Sequence, residues 1–250
     1  MTARARSASK LSEIGELAAI VKYSDDAIIG TTLDGIITPW NPAAERLFGC
    51  SAEQIIGRST NLVVPHDQAG ETNDLLAKIR AGQQVGHLET IRVRKDGTVF
   101  PASLTVSPIY DPNGTIVGAS TIVRDATARV EAYEAARTMI EASQDSLVAI
   151  SPEGRITDAN QATVKVTGIP LEELIGMLFS DCFTDPQEAN EIYQKVFAHG
   201  MAGEYPLTIR HRDGSVSEVL YNATVHRGAR GKVLVHRGAR GKVFAVFAAT

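Results

Sequence analysis

The chain has 250 residues, enough for one large domain or two ordinary ones, since single domains cluster at about 100–150 residues. Hydrophobic residues make up 44% and charged residues 22%, a globular balance that excludes a disordered chain. The formal net charge of −4 favours neither nucleic acid nor an anionic membrane as partner. No stretch approaches the ~18 apolar residues of a membrane span, and no apolar run of ~7–15 residues follows the basic start MTARARSASK, so the expectation is a cytoplasmic chain.

Residues 1–22 read as an amphipathic helix, with Leu11, Ile14, Ala18 and Val21 on one stripe that Leu17 and Ile20 widen. A first domain is expected over 23–127. It opens with two short β-branched runs, AIIGTT and GIITPW, either side of Asp34-Gly35, a dipeptide suited to a tight hairpin. Asn41 then caps a helix, Pro42 fits its first turn, and Gly49 closes it in the left-handed conformation. A short helix follows in SAEQIIG. Between Asp67 and Arg80, Leu75, Leu76 and Ile79 share a helical face. Three longer strands come next, HLETIRVRK, TVFPASLTVSPIY and TIVGASTIV, with turns at Asp96-Gly97 and at 111–114. Residues 128–143 form a helical linker in which Val130, Tyr133, Ala136 and Ile140 repeat the apolar stripe. Such stripes want a partner, and the expectation is a homodimer through the first helix and the linker, the alternative being packing on the helix's own domain.

The remainder, 144–250, repeats the first domain. NPAAERLFGCSAEQIIG at 41–57 lies over NQATVKVTGIPLEELIG at 160–176 with an offset of 119, and Asp96-Gly97 pairs with Asp213-Gly214 at an offset of 117. A period this long marks a duplicated domain rather than a solenoid. Two strands, several short helices and three long strands, in that order, fit an α+β fold. It would be an antiparallel sheet with helices on one face. Near the carboxyl end a second, local duplication places VHRGARGKV twice within 225–243, where the last hairpin should turn. One copy suffices for a hairpin. The extra unit would lengthen it, bulge out, or displace the final strand.

The chain resembles the PAS (PAS/PAC, S-box) family. In the first copy the residues are NPAAERLFG from Asn41, Ile56-Gly57, RKDG from Arg94 and RDAT from Arg124; in the second they are DAN ending at Asn160, Gly168, EELIG ending at Gly176 and RHRDG from Arg210. The resemblance implies two tandem domains, each a five-stranded antiparallel sheet with short helices around a small cavity, as found in the sensor regions of bacterial histidine kinases. It also makes Asp125 and Thr127 the relay into the exit helix, an assignment the physics supports, because Thr127 can cap a helix starting at Ala128. The second copy ends at AVFAAT without such a pair. The implied function is a sensory, signal-transducing module of a two-component type. The alternatives are a non-sensing interaction scaffold or a haem or flavin redox sensor.

For the first domain the expected pocket is apolar and lined by Phe48, Leu62, Leu75, Ile79, Ile91, Leu104 and Ile122. Haem-binding members carry a histidine in the long helix at the place occupied here by Thr72, and flavin-adduct members carry a cysteine among neighbours that Cys182 lacks; haem and covalent flavin are therefore disfavoured, and a noncovalent small ligand stays open. His66, His87, His199, His211, His226 and His236 have no recurring metal-ligand spacing, so no metal is expected. Cys50 and Cys182 read as free thiols. Arg227, Arg230, Lys232, Arg237, Arg240 and Lys242 lack interleaved aromatics and do not suggest nucleic-acid binding. Without a nucleophile elbow, phosphate loop or kinase motif, no catalytic site is expected.

Overall fold

The computed structural model describes residues 15–199, 201–226 and 242–248. The chain divides into two compact units, Met1–Ala132 and Tyr133–Thr250. Leu11 and Ile14 of the first stripe lie outside the described residues.

After helix α1 (15–22), the first unit runs β1 (Ala27–Thr32), β2 (Ile37–Trp40), α2 (Pro42–Phe48), α3 (Ala52–Ile55), two 3-10 turns, α4 (Ala69–Arg80), β3 (Val85–Val93), β4 (Val99–Tyr110) and β5 (Ile116–Asp125). The sheet order is β2-β1-β5-β4-β3, and every pairing is antiparallel. The β4–β5 reversal is built locally: the Asp111 carboxylate accepts from the amides of Asn113 (2.9 Å) and Thr115 (2.8 Å), and Gly114 supplies the positive φ of 82°. Along β4, Phe100, Ala102, Leu104 and Val106 alternate into the core, where Phe48 packs between Trp40 (5.3 Å) and Phe100 (5.7 Å).

Helix α5 (Thr127–Glu141) leads into β6 (Ser146–Ile150), β7 (Ile156–Ala159), α6 (Gln161–Thr167), α7 (Leu171–Leu174), α8 (Pro186–His199), β8 (Met201–Arg210), β9 (Val216–His226) and β10 (Lys242–Ala248). The order β7-β6-β10-β9-β8 repeats that of the first sheet. One strand differs in direction: β10 runs parallel to both β6 and β9. The α+β class expected from the sequence holds, but the second sheet is mixed rather than wholly antiparallel. Chain length supplies the reason. Five residues separate β4 from β5, which permits only a reversal, whereas fifteen separate β9 from β10 because VHRGARGKV is duplicated there. A parallel return needs about a dozen residues or more.

Candidate functional site

In the first unit, sheet and helices enclose a cavity of about 50 Å³. Its wall is apolar at Phe48, Leu75, Leu104 and Val123, and polar at Thr31, Thr60, Thr72, Thr121 and Arg92. Arg92 is the unexpected member. It points inward from β3, is 5% exposed, and its Nη2 donates to Glu71 Oε1 at 2.5 Å. Its Nη1 donates to Ile91 O (2.7 Å) and Thr90 Oγ1 (3.2 Å), while the Thr90 hydroxyl donates to Glu71 Oε2. A guanidinium is taken out of water at a cost of several kcal/mol, which a close carboxylate and good hydrogen bonds must offset.

Of the seven residues expected to line a pocket, Phe48, Leu75 and Leu104 line this cavity. Ile79 is fully buried in the core but does not reach the cavity wall. Ile91 is 42% exposed, on the face opposite Arg92, and Ile122 alternates with the lining residues Thr121 and Val123. Leu62 is 55% exposed and lines a separate outer cleft of about 780 Å³, because the 3-10 turn Thr60–Val63 sends Val63 inward instead. That cleft shares Val63 and Val64 with the inner cavity and is rimmed by Arg58, His66, Arg94 and Lys95. The inner cavity is several-fold smaller than the roughly 300–1,000 Å³ of sites for drug-sized ligands and cofactors. It does not fit haem or flavin as it stands.

Asp125 and Thr127, the expected relay, are reached from Arg94, which lines the outer cleft. Arg94 stacks over the Phe100 ring at 4.1 Å, donates to Leu47 O, and pairs with Asp125 at 2.8 Å. Asp125 Oδ1 in turn accepts from the Thr127 amide at 2.8 Å. Helix α5 begins at Thr127 itself, so Asp125 and not Thr127 caps it. The Thr127 hydroxyl lies near that carboxylate without forming a hydrogen bond of standard geometry. Burial pushes the Asp125 carboxyl up; the polar groups of Thr127 and the Arg94 guanidinium outweigh it and hold the group below its ordinary value.

A second feature recurs in both units. Asn41 Oδ1 accepts from the amides of Ile28 and Ala44, both at 2.9 Å, and its Nδ2 donates to Val21 O and Asp26 O, both at 3.0 Å. Asn160 makes the same four bonds to Leu147 (3.0 Å), Thr163 (3.2 Å), Ile140 O (3.1 Å) and Asp145 O (3.0 Å). Every partner is displaced by the offset of 119. Each asparagine thus caps the helix after it and ties down the last turn of the helix before it, α1 or α5. Sequence reading found the cap; the grip on the preceding helix emerged only in three dimensions.

The second unit differs where the first is polar. Equivalent backbone bonds place Ile150 at the position of Thr31 and Phe179 at that of Thr60, and equivalent strand pairing places Ile209 at that of Arg92. All three are buried in the core. His211 replaces Arg94 and bonds locally to Asp213, whose carboxyl is held at about 2 by Ser215 and His211. Among the described residues of this unit the buried Tyr221 hydroxyl lacks a hydrogen-bond partner. Burial pushes the Cys182 thiol up to about 12, with Asp181 adding to the effect, which keeps it protonated. Among the described residues no cluster of His, Cys, Asp or Glu is arranged to hold a metal ion. No helix there is long and apolar enough to cross a membrane. Arg227, Arg230, Lys232, Arg237, Arg240 and His236 lie outside the described residues.

The family model for the PAS fold matches residues 15–126 and 134–237. Among curated proteins the chain is similar to sensor protein FixL of Bradyrhizobium diazoefficiens, 32% identical over 95 residues, which are 36% of this chain and 19% of the relative. It is 29% identical over 112 residues to the signal transduction histidine-protein kinase AtoS of Escherichia coli, covering 45% of this chain and 18% of that protein. With oxygen sensor protein DosP of Escherichia coli it shares 26% over 145 residues, or 55% and 18% of the two chains. The chain therefore spans about a fifth of the length of these relatives. Among solved structures, the PAS domain of a protein from Colwellia psychrerythraea is 34% identical with a TM-score of 0.43, covering 46% of this chain and 98% of that one.

Proposed function

The chain belongs to the PAS-fold family, and from that premise we propose that it is a cytoplasmic sensory module that binds a small ligand in its first domain and relays occupancy through α5. A sensory role in signal transduction accords with the sensor proteins it resembles. The observation that carries the relay is the continuous path from Arg94 to Asp125 to the Thr127 amide, which joins the strand beside the cavity to the first turn of α5. In this reading a ligand acts by binding one arrangement of that path better than the other. The module itself performs no catalysis; a larger two-component-type protein supplies the output.

Homodimerisation through α1 and α5 is part of the proposal. Tyr133 and Met139 on α5 are 72% and 74% exposed, and Leu17 and Ile20 on α1 are also exposed, a pattern that favours a partner helix over packing on the helix's own domain. The same exposure is the observation that favours the rival, a scaffold that dimerises without sensing. The deciding experiment places a spin label on α5 at Met139 and measures dimer distances with and without small metabolites. A sensor changes its distance distribution on binding, and a scaffold does not. A third reading, haem or flavin redox sensing, is tested by one visible absorption spectrum of the native protein.

A further inference from the structure

The duplication supplies an internal control on what this fold requires. At the position of Arg92 the second domain carries buried Ile209, and around it Ile150 and Phe179 stand where the first domain has Thr31 and Thr60. The scaffold is therefore satisfied by an apolar core at these places. A buried ion pair is seldom more stable than a well-packed apolar replacement of similar size. The charge in the first domain is thus not explained by folding.

Building on the sensory reading of the first domain, we propose that its inner cavity is a receptor for a small carboxylate or oxyanion, which Arg92 binds in exchange for Glu71. Three observations set the chemistry. Three of the five guanidinium N–H groups of Arg92 have acceptors among the described residues, leaving Nε and one Nη2 hydrogen to offer a ligand oxygen. Threonine hydroxyls on the same wall can donate to further oxygens. The size follows from the volume: at about 10–15 Å³ per water-sized probe, a cavity of about 50 Å³ takes about three to five heavy atoms. Formate, acetate and nitrate fit that description.

Exchange rather than addition follows from charge. Arg92 and Glu71 together are neutral, and an added anion would leave a net negative charge in a closed site, at a cost of several kcal/mol. Arg92 is held inside, with its side chain 6% exposed, whereas the Glu71 side chain is 23% exposed and can turn towards water. Glu71 lies in the first turn of α4, so its release frees that helix from β3. Ligand binding would thereby loosen one face of the cavity whose other face leads to Arg94 and Asp125.

The test titrates the full chain with formate, acetate and nitrate and follows the side-chain Nε–H signals of arginine by NMR. Ionic strength is held with sodium gluconate, too large for the cavity, and acetamide serves as the neutral isostere of acetate. Saturable shifts with at least one of the three anions and none with acetamide are expected. Glu71→Gln, which removes the competing carboxylate, should tighten that binding about tenfold or more, and Arg92→Ile, which installs the residue of the second domain, should abolish it. Equal binding of acetamide and acetate, unaffected by Arg92→Ile, would overturn the anion proposal while leaving a small-molecule sensor in place. No saturable shift with any probe overturns it as well, and the α5 distance measurement then judges the sensory reading separately. Should Arg92→Ile fail to fold, Glu71→Gln decides alone, since unchanged affinity in that variant contradicts the exchange.

Discussion

Replacing Asn160 tests the idea that one side chain fastens the linker helix to the second domain. The residue is 1% exposed and makes four hydrogen bonds to backbone groups of four separate residues. At about 1 kcal/mol net for each, with a further cost for buried groups left unpaired, Asn160→Ala should cost roughly 3–5 kcal/mol. That is a large share of the roughly 5–15 kcal/mol that holds a domain folded. It corresponds to roughly 4–8 °C of melting temperature per kcal/mol for a domain of this size. Asn160→Asp separates hydrogen bonding from volume. The new carboxylate oxygen would face the carbonyls of Ile140 and Asp145, where Nδ2 now donates, so this near-isosteric change should cost at least as much as alanine at neutral pH. The single tryptophan, Trp40, lies in the first domain and separates the two transitions. Denaturation followed by circular dichroism should show the second domain melting early, while the Trp40 fluorescence transition stays in place; Asn41→Ala should shift the Trp40 transition instead. If Asn160→Asp melts with the wild type, the donor role assigned to Nδ2 is wrong.

The Asp125 carboxyl lies below its ordinary value of 3.8, so its contribution is fully present above that value and is lost as pH falls through the lower folded value. The protection factor of the Thr127 amide, taken relative to the intrinsic exchange rate at each pH, should therefore fall on acidification below about pH 4, and Asp125→Asn should remove that dependence; an acid response unchanged in the variant would contradict it. Deleting ten residues from the duplicated segment, 227–236, leaves five between β9 and β10, the number between Tyr110 and Ile116. Too short for a parallel crossing, this connection should reverse β10, giving antiparallel cross-strand NOEs to β9, and a β10 that stays parallel would refute the length argument. Tyr133→Glu together with Ala136→Glu places charge on exposed positions of the α5 stripe and should shift the protein to monomer in sedimentation, whereas an unchanged dimer would move the interface elsewhere.

How far the sequence could be read depended on whether the determining contacts were local. Gly49, Asp96, Asp111 and the cap that Asn41 makes to Ala44 each act within a few residues, so helices, turns and the repeat were legible from the chain. Nine of the ten strands sit in tight hairpins whose turns announce them, β10 being the exception, while the order of the strands across each sheet was not read from the chain. The cavity was only partly legible, and Arg92 explains why. In the run TIRV the pleat can place either Ile91 or Arg92 inward, and hydrophobicity alone selects Ile91. The choice is reversed by Glu71, twenty-one residues away on α4, whose carboxylate makes the buried guanidinium tolerable. The direction of β10 was illegible for a different reason: alternation along a strand is the same whichever way the strand runs, and only the length of its connection distinguishes the two.

The two domains share one framework but not one chemistry, and the divergence is confined to particular positions. Positions that hold the fold are retained: the asparagine with its four bonds, the left-handed glycines at Gly49 and Gly168, and the Asp-Gly turns at Gly97 and Gly214. Positions that could respond to a signal are altered. Arg92 corresponds to Ile209, Thr31 to Ile150, and Arg94, which reaches across to Asp125, to His211, which among the described residues bonds within its own turn. Random drift would be expected to damage framework and cavity alike, because a lost buried bond and a lost buried charge have costs of the same order. Retention of one set alongside replacement of the other accords with the proposal that the first copy is the one that binds a ligand. The first has a polar cavity and, separately, the Arg94–Asp125 ion pair ahead of α5, while the second keeps the asparagine that bonds the last turn of that helix.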